Sequence, residues 1–211
     1  MKRTIKTIDA IRIALCAKGW KSPEIEWVLS QTNDLQQALQ YSRERALRVN
    51  LEQLMPFDLP KNFLRCKEEE YFPDWDNHRK LGYWQWDPDE LTLERPTEDQ
   101  TIESFLENPP DVRLMNACLA DWLNNFRIPR GVQILIPEEW KTPTETGEVP
   151  MIYFLGSRFR HRCADWVACM WFGKKKWLTD MAYTRNPFGK NGRYVVLKPE
   201  AKTIAEKDLV Y

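Results

Sequence analysis

The run Arg158-Phe159-Arg160-His161-Arg162 carries the sharpest chemical pattern in the chain. On a strand, alternate side chains leave opposite faces. Three arginines therefore form one ridge, spaced about 6.6 Å apart, while Phe159 and His161 point the other way. Guanidinium forks match phosphate oxygens. Lys174, Lys175, Lys176 and Trp177 add charge beside a flat ring, and Arg185, Lys190 and Arg193 flank the next hairpin. Cations that track a backbone, interleaved with rings that stack bases, are what a groove for single-stranded RNA or DNA requires. The competing reading is that these cations pair with the chain's own acids or solvate an open sheet face.

Those acids are concentrated in one place. Net charge is zero, yet residues 66–111 hold fourteen acids against four bases, a net of −10. Residues 150–199 hold ten bases against Asp165 and Asp180, a net of +8. Segregation of this kind points to a polyanion partner or to one half of the chain docking on the other.

Other chemistry is less well supplied. Pro73-Asp74 and Glu139-Trp140-Lys141 echo a nuclease pattern in which carboxylates hold Mg²⁺ and a lysine sits near the attacking water; Asp87 and Asp89 could substitute. Three converging carboxylates near Lys141 would be needed. His161, Cys163 and Cys169 could share a metal, but a zinc site wants four ligands, with a closely spaced cysteine pair as the usual signature. The only other histidine is His78. No glycine-rich phosphate loop or nucleophile elbow is present, and no cofactor or metal is expected. Five cysteines at wide spacing read as reduced, mostly packed thiols rather than a disulfide framework. No apolar run approaches the ~20 residues of a membrane helix, and the basic start has no apolar stretch behind it. An intracellular, cytoplasmic protein with no membrane partner is the expectation.

The elements that must position these residues are of two kinds. Residues 1–55 read as a helical module. Ile8, Ile11 and Leu15 stripe a first helix up to Gly19, and Ser22-Pro23 opens a second with Ile25, Val28 and Leu29. A third runs from Leu35 through Leu47, Leu51 and Leu54 toward Pro56. Leu15, Gly19-Trp20, Ile25, Val28-Leu29, Thr32, Leu35 and Ala38 resemble the ubiquitin-associated (UBA-like) three-helix pattern over roughly residues 8–41. Lys18 stands where that family's loop methionine is usual. The resemblance implies a module that docks a protein partner, without implying ubiquitin itself.

Residues 56–211 read as an α+β domain. Prolines and aromatics punctuate residues 56–97, with a short strand over Leu81–Trp86. Thr97 to Gln100 forms a capping box for a helix ending near Asn108. The apolar spacing of Met115, Cys118, Leu119, Trp122, Leu123 and Phe126 predicts a helix over Val112–Phe126. From 131 to 199 the period becomes strand-like: Val132–Ile136, Met151–Arg162, Asp165–Phe172, Trp177–Thr184 and Tyr194–Lys198, with a polar loop over Lys141–Glu148. The expected architecture is a helical N-terminal bundle followed by an antiparallel sheet packed on one helix. The strand over Trp166–Phe172 is apolar on both faces and should be central.

Three functions follow as expectations. The first is a non-enzymatic nucleic-acid-binding protein, a subunit of a nucleoprotein complex, whose basic sheet grips phosphates and whose N-terminal helices dock a protein. The second is a protein–protein adaptor whose basic sheet is neutralised by its own acidic segment. The third is a metal-dependent nuclease.

Overall fold

The structure, a computed structural model, describes residues 2–17, 22–31, 35–36, 38, 40, 47–52, 72–97, 99–125, 136–161, 163–173 and 176–205. The chain divides into two units. One comprises Met1–Arg48, Arg127–Ile134 and Lys207–Tyr211; the other comprises Val49–Phe126 and Leu135–Glu206.

The first unit contains α1 (Lys2–Cys16) and α2 (Ser22–Gln31), and residues 35, 36, 38 and 40 are also helical. Ile11, Leu15, Ile25, Val28 and Ala38 close into one buried cluster against Leu29 and Leu35. Their i, i+3 and i+4 spacing puts each helix's apolar residues on one stripe, which is what drives this packing. Arg12 and Glu26 tie the two helices on the outside at 2.9 Å.

The expected third helix does not run on to Leu54. Arg48–Asn50 is instead a strand, β1. It belongs to a three-stranded sheet with β3 (Tyr83–Gln85) and β10 (Thr203–Ile204), in the order β1-β3-β10. Val49 and Leu51 are fully buried in the second unit, so tertiary burial of a β-branched residue outweighs the leucine spacing that suggested a helix. Gly82, at φ +80°, lets this sheet close, since a Cβ there would stand 2.7 Å from the Ile204 carbonyl oxygen.

The larger sheet has seven strands. Five follow the order β4-β9-β6-β7-β8: β4 (Leu91–Glu94), β9 (Gly192–Leu197), β6 (Met151–His161), β7 (Ala164–Gly173) and β8 (Lys176–Tyr183). Off this path, β2 (Phe72–Asp74) pairs with β6 and β5 (Arg113–Leu114) with β9. The pairings are antiparallel except β6 with β9, which run parallel. β7 lies between β6 and β8, as its two apolar faces require, although β6 is the middle strand.

Helices cover both faces. On one lie Tyr153, Leu155, Val167, Cys169, Tyr194 and Val196, packed under Ile102, Phe105 and Leu106 of α3 (Ile102–Glu107) and under Phe188. On the other, α4 (Ala117–Asn125) packs against β6, β7 and β8. Both helices start later than their sequence signals. Thr101, not Thr97, caps α3 by accepting the Ser104 N–H at 3.1 Å. The segment before α4 is drawn into the sheet as β5, so the helix opens at Ala117 rather than Val112.

A buried polar knot fixes that opening. Asn116 donates from Nδ2 to the carbonyls of Leu51 (2.7 Å) and Arg79 (2.9 Å), and its Oδ1 accepts the Cys118 N–H. Ser157 Oγ accepts the Ala117 N–H and lies 3.0 Å from His78 Nδ1. These contacts satisfy first-turn amides that would otherwise be orphaned. Gly156 brings the backbones together, since a Cβ there would meet the Leu114 carbonyl oxygen at 2.6 Å.

Candidate functional site

The arginine ridge stands at the β6–β7 hairpin end of the sheet. Phe159 pairs with Trp166 and is fully buried, whereas Arg160 pairs with Asp165 and leaves 68% of its side chain exposed. The alternation read from the sequence is therefore present. Arg160 shares the α3-covered face, because Asp165 is in step with Val167 and Cys169 of that core.

Groups from the acidic segment meet the ridge. β2 lies antiparallel along β6, with Phe72 opposite Arg160 and Asp74 opposite Arg158. Arg160 Nη2 stands 3.2 Å from Asp74 Oδ2, and its Nε stands 3.8 Å from Asp165 Oδ1. The Asp74 carboxylate is nearly sealed from water and also accepts from Asn77 Nδ2 at 3.0 Å. Arg158, half-buried, donates to the Leu106 carbonyl at 2.9 Å, in the last turn of α3 where helix carbonyls lack amide partners. At the other end of α3, Arg185 lies 3.8 Å from Glu103. Two arginines of the basic region thus bracket one short helix of the acidic region.

The remaining cations are elsewhere. Arg162, Lys174 and Lys175 lie outside the described residues, and Lys176 opens β8. Trp177 is half-buried, edge-on to Phe172 at 5.3 Å and to Trp140 at 6.4 Å. It falls on the α4-covered face, since Asp180, opposite Cys169, is on the other. The structure therefore separates this ring from the arginines by a sheet's thickness. Lys190 and Arg193 lie toward the start of β6, where Arg193 neighbours the Ile152 register position. On the paired strand β7, Met170 opposite Ile152 and Asp165 opposite Arg160 lie five residues apart, roughly 17 Å at the rise of a strand. Lys190 lines a cavity of about 410 Å³ together with Arg95 and Phe188. Arg193 donates to the Gly192 carbonyl at 2.7 Å. Burial, and then Arg95, press its pKa down, against a smaller opposing pull from Glu145.

The carboxylates named for a nuclease do not gather. Asp74 is engaged by Arg160, while Glu139 and Lys141 lie at the 138–141 turn, where Lys141 pairs with Glu138 at 2.7 Å. Among the described residues no three of His, Cys, Asp and Glu come together as a metal site. Cys163 is exposed at the hairpin turn, whereas Cys169 is buried with its thiol on the Asp180 carbonyl. Burial, with a smaller push from Asp121, raises the Cys118 thiol to about 12, so it is not a nucleophile at neutral pH. The four described cysteines carry no disulfide.

Sequence reasoning missed the partners. The sequence marks Asp74 only as a possible metal ligand, and nothing local in it marks Leu106 or Glu103 as arginine partners. The charge segregation was the one signal that pointed to them. No family model matches the chain, and no curated protein or solved structure matches it. Among the described residues no helix is long and apolar enough to cross a membrane.

Proposed function

We propose that the chain is a non-enzymatic protein–protein interaction adaptor whose basic sheet is neutralised by its own acidic segment. The observation that carries this reading is the seating of β2 and α3, both from residues 66–111, on the basic region: Asp74 on Arg160 and the Leu106 carbonyl on Arg158 at the ridge, and Glu103 on Arg185 beyond it. The charge pattern then acts within the fold, leaving protein surfaces as the contact sites. In this reading the N-terminal helices form the UBA-like bundle and dock one protein partner, and the compartment is the cytoplasm, in keeping with described cysteines that carry no disulfide.

The direct test is to purify the tagged full chain from its source with and without nuclease treatment. The adaptor reading expects the same protein partner in both samples, and loss of that partner when residues 1–48 are removed. Partners that vanish with nuclease would instead support the second reading.

That second reading is nucleic-acid binding. It is favoured by the exposure of Arg160 and Arg185, 68% and 70% of their side chains, because ion pairs this open to water are weak and a polyanion can compete for them. Its signature is an affinity for single-stranded RNA or DNA that falls steeply with salt.

A further inference from the structure

β4 closes one edge of the large sheet. The Lys198 N–H donates to the Glu90 carbonyl at 2.9 Å, and the register continues Leu91 with Leu197 through Glu94 with Tyr194. Bonded and non-bonded pairs alternate along an antiparallel ladder. Thr92 and Glu94 therefore turn their amides and carbonyls toward β9. Leu93 turns both of its backbone groups outward, and so does the carbonyl of Leu91, whose amide is held by Pro88. Among the described residues no strand other than β9 pairs with β4, and a row of this kind is a template for another strand.

A groove of about 710 Å³ is lined by Asp89, Leu91 and Thr92 together with Ile136, Pro137 and Glu139. Its lining mixes apolar Leu91, Ile136 and Pro137 with the carboxylates of Asp89, Glu138 and Glu139. Asp89, Glu94, Glu138 and Glu139 are exposed; Glu138 is shared with Lys141, and the lining's cation, Lys198, donates to the Asp89 carbonyl.

We propose that this edge and groove bind an extended basic segment of a protein partner by strand addition, with backbone bonds to Leu93 and lysine or arginine side chains over these carboxylates. The proposal rests on the adaptor reading and names the chemistry of one partner. A second copy of the chain is disfavoured as occupant because its own Asp89, Glu94 and Glu139 would face these acids across the new pair.

The test uses the full chain and labelled peptides of about six residues, an ordinary strand length, read by fluorescence anisotropy. One peptide alternates lysine with valine and the control alternates glutamate with valine. The lysine peptide should bind and the control should not. Leu93→Pro removes an outward amide that an edge strand can spare, and the pair Asp89→Lys with Glu139→Lys reverses two of those charges; each should weaken binding about tenfold or more. Wild-type protein that ignores the lysine peptide would overturn the proposal. So would variants that stay folded by circular dichroism and bind it undiminished. Should Leu93→Pro unfold the chain, the charge-reversed variant decides alone. Loss of this site with nuclease-resistant partners still retained would reject the strand-addition site and leave the adaptor reading standing.

Discussion

Arg160 holds the carboxylate of Asp74 at 3.2 Å, and the two ends of this pair stand in unlike surroundings: the aspartate has 7% of its side chain exposed and the arginine 68%. The arginine is thus the solvated half of a pair whose other half is buried in the fold. Removing it leaves a buried carboxylate with Asn77 and strands three residues of β2 on the edge of β6 with less to hold them. Arg160→Ala should cost about 1 kcal/mol, more than an ordinary surface pair because a buried acceptor is left short. The same change made in an Asp74→Ala background should cost measurably less, and a double-mutant cycle by urea unfolding checks it.

His78 sets a pH dependence. Burial lowers its pKa below the ordinary value of 6.5, with Lys80 adding to the effect and Glu52 opposing it. The unfolded chain therefore takes up a proton at a pH where the folded chain does not. The contribution of His78 is complete above pH 6.5 and is lost as pH falls through the lower folded value. Melts between about pH 8 and 5 should show falling stability, with a shallower fall in His78→Gln. A fall of equal steepness in the variant would reject His78 as the cause.

Asn116 is the junction at which residues 51, 79 and 118 meet. Asn116→Ala takes a partner from two carbonyls and an amide, the Leu51 carbonyl keeping only the Leu81 N–H at 3.4 Å, so a loss of about 3 kcal/mol is expected. Asn116→Asp should be nearly as harmful, since it keeps the acceptor for the Cys118 amide and loses the donors. Chemical denaturation of the two variants beside wild type measures both.

Strands β6 to β9 were legible because each is long, rich in β-branched and aromatic residues, and bounded by turn signals. The inward Phe159 and outward Arg160 followed from strand alternation alone. What escaped is what depends on distant partners. Arg48–Asn50 sits in leucine spacing suited to a helix and is a strand only because β3 lies beside it. Arg113–Leu114 leaves its helix for β9, and the parallel β6–β9 pair has no local signature. The site was half legible for the same reason: the basic ridge is a property of one segment, whereas its occupation by Asp74, Leu106 and Glu103 is a property of the folded chain.

The thiols should sort by environment. Cys118, buried and raised to about 12, should resist iodoacetamide at neutral pH, while Cys16 and Cys163, both exposed, should be alkylated first. Peptide mass mapping over time gives the order. Early labelling of Cys118 in the folded protein would contradict the packing of α4.

The central claim is that the basic ridge serves the fold rather than a polyanion. It is tested most directly by the double variant Arg158→Ala with Arg160→Ala, measured in a thermal melt beside a low-salt filter-binding assay with single-stranded RNA. If the ridge serves the fold, Tm drops by several degrees, at about 2–4 °C per kcal/mol for a chain of this size, with no wild-type RNA affinity to lose. Tight, salt-sensitive wild-type binding that the double variant abolishes while its Tm stays unchanged would contradict it.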